Sequence, residues 1–285
     1  MKILLTGSNG QLGHDFKKIF DRKNIEYIAT DSKELDITND EKLKKFFQGN
    51  RGITHIINCA AYNDVDKAEN DERVWLLNAK APKKLAEISK GIGAIFVTYS
   101  TDFVFDGNKS SPYLEEEETK GLSEYGKSKA KGEKEVFKIY DKSFVIRTSW
   151  VFGIANNNFN KQVINWSKSR NELNIVDDQV SVPTYSVDLA EFSWKLIQTK
   201  KFGLYHITND GIASKYDQAK YVLEKIGWNG TLGRAKTADF NLPAKRPAYS
   251  KLDSSKVEKL LGEKIPAWQS GIDRFLEEMK ENGEL

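Results

Sequence analysis

The sequence predicts an α/β protein with a doubly wound parallel sheet and a smaller carboxyl-terminal lobe. Through the first half of the 285 residues, short apolar runs alternate with longer amphipathic stretches, which is the pattern of repeated βαβ units. The first apolar run, Ile3 to Leu5, leads directly into a glycine-rich turn. A turn of this kind between a strand and a helix is typical of the phosphate-binding edge of a parallel sheet.

Each predicted strand is a short apolar run between polar or turn-forming residues. The strands are predicted over Ile3 to Leu5, Tyr27 to Ala29, His55 to Cys59, Ala94 to Thr98 and Phe144 to Ile146. Stretches with helical periodicity, whose outer faces carry Lys and Glu, lie between the strands. The helices are predicted over Gln11 to Phe20, Asp40 to Phe47, Arg73 to Lys90 and Ser123 to Tyr140.

The regular alternation ends after Trp150, where an Asn cluster, the turn signal Asp177-Asp178 and the isolated Pro183 interrupt any repeat. We therefore predict a nucleotide-binding Rossmann domain over residues 1–150, completed by a strand and a helix from about residues 174–208. Most of residues 151–285 are predicted to form a substrate-binding lobe. No low-complexity linker separates the two parts, so we expect one tight interface between them.

The composition excludes several classes of protein. With 39% hydrophobic residues the chain can bury a full core, which excludes intrinsic disorder. The 44 basic and 41 acidic residues are interleaved, so the net charge of +3 gives little support to binding of nucleic acid or a membrane surface. No stretch approaches the roughly 20 apolar residues of a membrane span, and the amino-terminal run is too short for a signal peptide. We expect a soluble, cytoplasmic protein.

Three glycines, Gly7, Gly10 and Gly13, recur at a spacing of three after the first predicted strand. Glycine lets the backbone bend sharply and approach a pyrophosphate, and the following helix offers unpaired amides and its positive dipole end to the anion. The spacing is one residue looser than Gly-x-Gly-x-x-Gly, and it occurs in short-chain dehydrogenases with long carboxyl-terminal extensions. The turn predicts a dinucleotide site. A tight strand-to-helix turn without a ligand is the alternative.

A Tyr followed four residues later by a Lys is the usual proton-donating pair of such dehydrogenases, because both side chains then lie on one helix face. The ammonium is expected to favour the phenolate and so to lower the phenol pKa toward the working pH. The pattern occurs three times, as Tyr125 with Lys129, Tyr216 with Lys220 and Tyr221 with Lys225. Core packing explains the last two, since they share an apolar helical stripe.

Tyr125 follows the strand Ala94 to Thr98, whose carboxyl end continues into the polar segment that contains Thr101 and Asp102. Ligands of open parallel sheets bind at this end. We therefore predict that the Thr101 hydroxyl holds a substrate carbonyl oxygen, that Tyr125 protonates it, and that Lys129 tunes Tyr125 and binds the nicotinamide ribose. The alternative is a loop threonine and an exposed helical tyrosine without catalytic roles.

Seven motifs together resemble the dTDP-4-dehydrorhamnose reductase family of extended short-chain dehydrogenases, from one end of the chain to the other. Phe103 departs from the family, which has Tyr there, and Asn63 and Asp64 are departures as well. The motifs are Ala60 to Glu69, Ser100 to Gly107, Tyr125 to Lys129, Arg147 to Gly153, Asn157 to Phe159, Asp178 to Gln179 with Pro183 to Tyr185, and Arg246 to Ser250.

The resemblance implies that NAD(P)H reduces the C4 ketone of a nucleotide-linked 4-keto-6-deoxy-L-sugar to give dTDP-L-rhamnose. The nucleotide diphosphate would supply remote binding energy that positions the sugar. The predicted catalytic residues are Thr101, Tyr125 and Lys129. The predicted cofactor-binding residues are Gly7, Asn9, Gly10, Gln11, Leu12, Asp31, Asp36, Ile37, Ala60, Ala61, Tyr62, Tyr125 and Lys129. The predicted substrate-binding residues are Val65, Thr101, Asp102, Trp150 and Arg246, although a core role for Trp150 and a surface ion pair for Arg246 are alternatives.

The choice between NADPH and NADH depends on Asp31, which closes the second predicted strand. A carboxylate there binds the adenine ribose and repels a 2′-phosphate, which favours NADH. Ser32 and Lys33 follow and can receive that phosphate. Because family members commonly use NADPH and several accept both, we expect NADP(H) with NAD(H) as a second cofactor.

No metal is predicted for the chemistry, and the three histidines lack the spacing of metal ligands. Some family members hold Mg²⁺ at a dimer interface through a Glu just after the glycine turn. Asp15 takes that place here and is shorter, which leaves both the ion and a dimer open, so we expect a monomer or a homodimer. Two other functions stay open: reduction of a different nucleotide-linked 4-keto sugar, and a non-catalytic NAD(P)-binding regulatory subunit.

Overall fold

The computed structural model describes all of residues 1–285. Six strands form one parallel sheet in the order β10-β5-β4-β3-β1-β2. They are β1 (Lys2–Thr6), β2 (Glu26–Thr30), β3 (His55–Asn58), β4 (Ile95–Thr101), β5 (Ser143–Thr148) and β10 (Gly203–His206). The five strands predicted from the sequence are all present, and the sixth comes from the second half of the chain. The predicted fold class is confirmed.

Helices cover both faces of this sheet, which is why its strands are apolar throughout. On one face, α1 (Gln11–Arg22) and α7 (Ser186–Thr199) contribute Phe16, Leu189 and Trp194 to a core with the strands. The helices of the other face are α2 (Asp40–Gly49), α4 (Ala81–Ile92) and α5 (Glu124–Ile139), and the short α3 (Arg73–Trp75) contacts α5.

The predicted helix over Arg73 to Lys90 contains a π-helical turn at Leu76–Lys80. Pro82 has no N–H to donate to the carbonyl of Asn78, so the regular α-helical ladder cannot continue through this turn. The buried Asn78 amide instead bonds to both backbone groups of Tyr62 and to the Ser128 hydroxyl. The irregular turn thereby ties the loop after β3 to α5.

Most of the second half packs around a separate apolar core that contains Phe152, Ile164, Trp268 and Phe275. Its helices are α6 (Phe159–Ser169), α8 (Lys215–Lys225) and α10 (Trp268–Glu281), whereas α9 (Ser255–Leu261) packs against the core of the sheet through Val257. Its strands are β6 (Val151–Phe152), β7 (Glu172–Val176), β8 (Val180–Ser181), β9 (Thr184–Tyr185), β11 (Ala213–Ser214) and β12 (Thr231–Ala235). None of the helices is both long and apolar enough to cross a lipid bilayer.

Candidate active site

Two adjoining cavities open where the sheet strands end. The first, about 460 Å³, is lined by residues that follow β1, β2 and β3, and we call it the cofactor cavity. The second, about 450 Å³, lies over the ends of β4 and β5, and we call it the catalytic cavity. They share Gly10, Cys59, Ala61 and Asn63. The chain reverses its direction of winding between β1 and β3, and ligands of open parallel sheets bind at such a switch point.

The glycine turn forms the wall between the two cavities. Gly7 has a φ of +65°, and a Cβ atom there would lie 2.5 Å from the amide nitrogen of Ala60, so only glycine fits. Helix α1 begins at Gln11 with no side-chain cap and no acidic residue in its first turn. Its first amide groups therefore remain free for an anion.

The two predicted aspartates of the cofactor cavity differ in their hydrogen bonds. The Asp31 carboxylate accepts from the amide of Ser32 at 2.7 Å and lies at the end of β2. Asp36 accepts from the amide and the hydroxyl of Thr38 at 3.0 and 2.6 Å, and the hydroxyl above all holds its pKa below the usual value. Asp36 thus stabilises the turn before α2 while it lines the cavity.

Thr101, Tyr125 and Lys129 all line the catalytic cavity. Thr101 ends β4, and its hydroxyl oxygen accepts from the amide of Phe103 at 3.2 Å. Tyr125 and Lys129 lie one turn apart near the start of α5. The Lys129 ammonium donates to the main-chain oxygen of Tyr99 at 2.8 Å, which fixes it against β4.

A close approach of backbones sets Tyr125 against this strand end. Ser123 caps α5 by accepting from the amide of Gly126 at 3.1 Å. A Cβ atom on Gly126 would lie 2.1 Å from the carbonyl oxygen of Phe103, so a larger residue would push α5 away. The Phe103 ring meets the Tyr125 ring edge-on at 6.0 Å between centroids.

Burial dominates the titration of the predicted catalytic pair. It raises the pKa of Tyr125 to about 12, and the Thr101 hydroxyl only partly offsets this. Burial also lowers the pKa of Lys129 to about 8, against the attraction of Glu133. The pKa of Tyr125 is thus raised by burial, in the direction opposite to the lowering expected from Lys129. Desolvation of the phenolate dominates, and Tyr125 keeps its proton at neutral pH.

Asp102 is a fully buried carboxylate that joins three segments of the chain. Its Oδ1 accepts from the Thr101 hydroxyl at 3.1 Å, and its Oδ2 accepts from Ser181 at 3.0 Å and Ser250 at 2.5 Å. Burial raises its pKa to about 6, although these hydroxyls and the nearby Lys215 act in the opposite direction. The predicted substrate residue thus also orients Thr101, whose hydroxyl donates to it.

Trp150 follows β5 and lines the catalytic cavity, and its backbone is strained. Its φ of +44° is left-handed, which costs a bulky residue about 1–2 kcal/mol. The segment is held in place because Ser149 donates to the carbonyl of Val182 and Thr184 donates to the carbonyl of Trp150. Strain that the surroundings maintain is common at functional sites, so a purely structural role for this tryptophan is less favoured.

Hydrogen bonds connect the glycine turn to the second half of the chain. The Gln11 amide donates to the main-chain oxygens of Asn156 and Asn157 at 3.1 and 3.4 Å. In return, the Asn156 side chain donates to the carbonyl of Asn9 at 2.8 Å. These bonds bring the Asn cluster of the sequence to the rim of the cofactor cavity, where Asn156 contributes to the lining.

Most of the predicted site residues meet at these cavities, but two do not. The cofactor cavity takes in Gly7, Asn9, Gly10, Asp31, Asp36, Ile37, Ala60 and Ala61, and the catalytic cavity Gly10, Gln11, Leu12, Ala61, Val65, Thr101, Asp102, Tyr125, Lys129 and Trp150. Tyr62 lines neither, and its hydroxyl donates to Asp71. Arg246 also lines neither, and it pairs with Asp66 at 2.6 Å.

Asp15 is almost fully buried on α1, where its carboxylate accepts from the Ser186 hydroxyl at 2.5 Å. Burial raises its pKa to about 6. Lys18 lies 3.6 Å from its other oxygen. No group of three or more His, Cys, Asp or Glu side chains is arranged to bind a metal ion, so the chain by itself offers no Mg²⁺ cage around Asp15.

Several polar and aromatic residues of the catalytic cavity were not predicted from the sequence, chiefly Lys215 and Gln218 at the start of α8. One feature of the sequence could have pointed to Lys215. Lys215 is the first residue of its helix, where the helix dipole disfavours a cation. The neighbouring stripe was interpreted correctly, since Ala219, Val222 and Leu223 are buried in the second core.

Comparison with known proteins agrees with this geometry. The family model described as the RmlD substrate binding domain matches residues 1–281. The chain belongs to this family. Its RmlD match covers both the sheet and the second core, so one family model accounts for both cavities.

Individual members of the RmlD family are similar over nearly their whole length. A dTDP-4-dehydrorhamnose reductase of Aggregatibacter actinomycetemcomitans is 38% identical, with 95% of this chain and 97% of that protein aligned. The crystal structure of a Clostridium acetobutylicum dTDP-4-dehydrorhamnose reductase is 39% identical, with a TM-score of 0.95 over 98% of this chain and all of that one. That of the Bacillus anthracis reductase in complex with NADP is 35% identical, with a TM-score of 0.93 and 97% and 99% coverage.

Proposed function

We propose that this protein is an NAD(P)H-dependent oxidoreductase that reduces the C4 ketone of dTDP-4-dehydro-L-rhamnose to give dTDP-L-rhamnose. The observation that carries the proposal is the meeting of Thr101, Tyr125 and Lys129 in one cavity beside the glycine turn. A binding protein needs the turn but not the proton donor. The relatives named dTDP-4-dehydrorhamnose reductase supply the substrate class.

The cofactor cavity fits a dinucleotide. The free amides at the start of α1 suit a pyrophosphate, and the left-handed Gly7 lets the backbone turn without a side chain in the way. Asp31 lies where a ribose hydroxyl is expected. NADPH, when bound, supplies the hydride. The Bacillus anthracis relative in complex with NADP supports the same assignment.

In the proposed reaction, Tyr125 donates its proton to the C4 oxygen as negative charge develops there. Its high pKa keeps the phenol protonated and ready to donate at neutral pH. Lys129, held by the carbonyl of Tyr99, presents its ammonium to the ribose and to the phenolate that forms. Thr101 is oriented by Asp102, and its hydroxyl contacts the same C4 oxygen after it turns from the carboxylate.

For the cofactor we propose NADP(H) with NAD(H) as a second choice. The Asp31 carboxylate repels a 2′-phosphate, whereas Ser32 and the exposed Lys33 beside it can bind one. All proposed catalytic groups lie on one chain, so a monomer or a homodimer would be active. We further propose that residues 1–150 with the segment 174–208 bind the cofactor, while most of residues 151–285 bind the substrate.

The test is oxidation of NADPH, and separately of NADH, by the purified protein. The substrate is dTDP-4-keto-6-deoxyglucose together with the 3,5-epimerase that converts it. Oxidation that depends on the epimerase and yields dTDP-L-rhamnose supports the proposal and ranks the cofactors. Cofactor binding without oxidation contradicts it.

A reductase of another nucleotide-linked 4-keto sugar is the second candidate. Asn63 and Phe103, where the sequence departs from the family motifs, both line the catalytic cavity. Turnover of a different keto sugar, with none of the rhamnose precursor, would favour this candidate.

A further inference from the structure

Lys215 presents a cation to the catalytic cavity on an aromatic platform. Its ammonium lies 3.6 Å from the centroid of the Trp150 ring and 4.5 Å from that of Phe159. Its hydrogen bond is a long one, 3.5 Å to the side-chain oxygen of Gln218. All four side chains line the cavity. Lys215 as a whole is half-buried, and it lines the space that a ligand would occupy.

Lys215 differs from the other two cations near this site in having no strong partner. Lys129 donates to a carbonyl at 2.8 Å, and Arg246 forms an ion pair with Asp66 at 2.6 Å. No carboxylate lies within 4.0 Å of the Lys215 ammonium. Asp102 is the acidic group that attracts it, but both oxygens of Asp102 already accept hydrogen bonds from Thr, Ser and Ser hydroxyls. Two N–H donors of Lys215 are therefore left for a ligand.

Three features of the surroundings disfavour a positive charge at this position. Burial lowers the pKa of Lys215 to about 7, and Arg246 acts in the same direction. The residue also begins α8, at the positive end of the helix dipole. An anion that enters the cavity would offset all three effects. Its negative charge attracts the Lys215 ammonium, the Arg246 guanidinium and the positive end of α8.

We infer that Lys215 binds the diphosphate of the nucleotide-linked sugar, with its ammonium held against the rings of Trp150 and Phe159. The inference rests on the proposed function, whose substrate class carries one anionic group, the diphosphate. The cofactor also has a pyrophosphate, but Lys215 does not line the cofactor cavity, and the free amides of α1 suit that group. Lys215 thus selects substrates that carry a diphosphate over free sugars.

Replacement of Lys215 by Met tests the inference because the stem keeps its length and loses its charge. Binding of thymidine diphosphate to the protein saturated with NADP⁺ is measured by calorimetry, and steady-state kinetics are measured with the nucleotide sugar. We expect the Kd of thymidine diphosphate and the KM of the sugar substrate to rise about 10- to 100-fold. The affinity for NADPH should stay within about 2-fold of the wild-type value, and kcat should change less than KM.

Lys220→Met is the matched control, since Lys220 lies on the exposed side of the same helix. Lys215→Arg should recover part of the affinity, and the melting temperature of each variant reports whether it folds. An unchanged Kd for thymidine diphosphate in Lys215→Met, with the loss confined to kcat, would mean that Lys215 acts through Asp102 and would overturn the inference. A loss confined to NADPH affinity would also overturn the inference, because it would mean that Lys215 binds the pyrophosphate of the cofactor.

The binding measurement also separates this inference from the proposed function. If no keto sugar is reduced, yet thymidine diphosphate binds the wild-type protein and not Lys215→Met, the function fails and the diphosphate site stands. If the wild-type protein reduces the sugar but thymidine diphosphate binds both proteins equally, the function stands and the site fails. A wild-type protein that does not bind thymidine diphosphate at all overturns the site as well.

Discussion

The two cavities have nearly the same volume but are constructed differently. The cofactor cavity is made chiefly of backbone and small residues at the ends of β1, β2 and β3, and Asn156 is its one lining residue from the second half. The catalytic cavity is made of side chains from both halves, and it holds the buried or half-buried charges Asp102, Lys129 and Lys215. A short local motif specifies the first kind of site. The second depends on contacts between segments far apart in the chain.

The largest expected effect is on the proton donor of the catalytic cavity. Tyr125→Phe removes one hydroxyl, and we expect turnover to fall by roughly 10² to 10⁴ because a positioned acid contributes that much. NADPH binding should persist, since Tyr125 does not line the cofactor cavity. Steady-state kinetics and cofactor titration measure the two effects. Tyr221→Phe is the control, because Tyr221 also has a Lys four residues later but bonds to Asp273 outside both cavities.

The buried carboxylate of the same cavity predicts a pH-dependent stability. The pKa of Asp102 has its usual value of 3.8 in the unfolded chain, and burial raises it to about 6 in the folded protein. Between these values the folded state binds more protons, so stability falls as the pH rises, by on the order of 3 kcal/mol. Asp15 titrates in the same direction and adds to the wild-type slope.

Asp102→Asn should remove the Asp102 part of this slope and leave that of Asp15. Chemical denaturation of both proteins at pH 4 and pH 7 measures it. Equal pH dependence in the two proteins would show that the charge on Asp102 is already compensated by its surroundings. A loss of kcat in the variant would reflect the freed Thr101 hydroxyl, which Asp102 orients.

In the cofactor cavity, the most damaging substitution is expected where the backbone itself approaches a neighbour, at Gly7. Gly7→Ala places a Cβ atom against Ala60 in a left-handed conformation, and we expect a loss of at least about 2 kcal/mol in stability together with loss of NADPH binding. Gly91→Ala is the control, since nothing lies within 4 Å of a Cβ atom there and α4 gains a better helix former. Its stability should equal or exceed that of the wild type by about 0.5–1 kcal/mol. Thermal melts with and without NADP⁺ distinguish the two.

The smallest effect is expected for Asp31 of the cofactor cavity, and it concerns the preference between NADPH and NADH. Asp31→Ser removes the repulsion of a 2′-phosphate and a hydrogen bond to the ribose. We expect the ratio of kcat/KM for NADPH over NADH to rise about 10-fold. Asp40→Ser, at the exposed start of α2, is the control. An unchanged ratio would mean that Ser32 and Lys33 decide the choice of cofactor.

The contrast between the cavities also explains which parts of the site could be predicted from the sequence. The glycine turn needs a particular backbone within seven residues, so the spacing of Gly7, Gly10 and Gly13 sufficed to predict it. Tyr125 was predicted from its spacing to Lys129 and the strand that precedes it, and Trp150 from the resemblance of the segment Arg147 to Gly153 to a family motif. Ser181 and Ser250 reach Asp102 across separations of 79 and 148 residues, and no local pattern encodes such contacts.

The expected lowering of the Tyr125 pKa by Lys129 was inferred from sequence spacing alone. Two residues four apart on a helix predict that Lys129 and Tyr125 are neighbours, and they are. The spacing gives no information about burial, which opposes charge on both groups. In the same way, the periodicity that predicted a helix over Arg73 to Lys90 could not reveal that Asn78 would bond to the loop after β3.

The bonds of Gln11 and Asn156 across the rim of the cofactor cavity join the sheet to the second half of the chain. A dinucleotide seated beneath them would touch both halves, so its binding free energy would stabilise both cores at once. The protein should therefore melt in a single cooperative transition whose midpoint rises with the concentration of cofactor. We expect the two cores to unfold together as one cooperative unit.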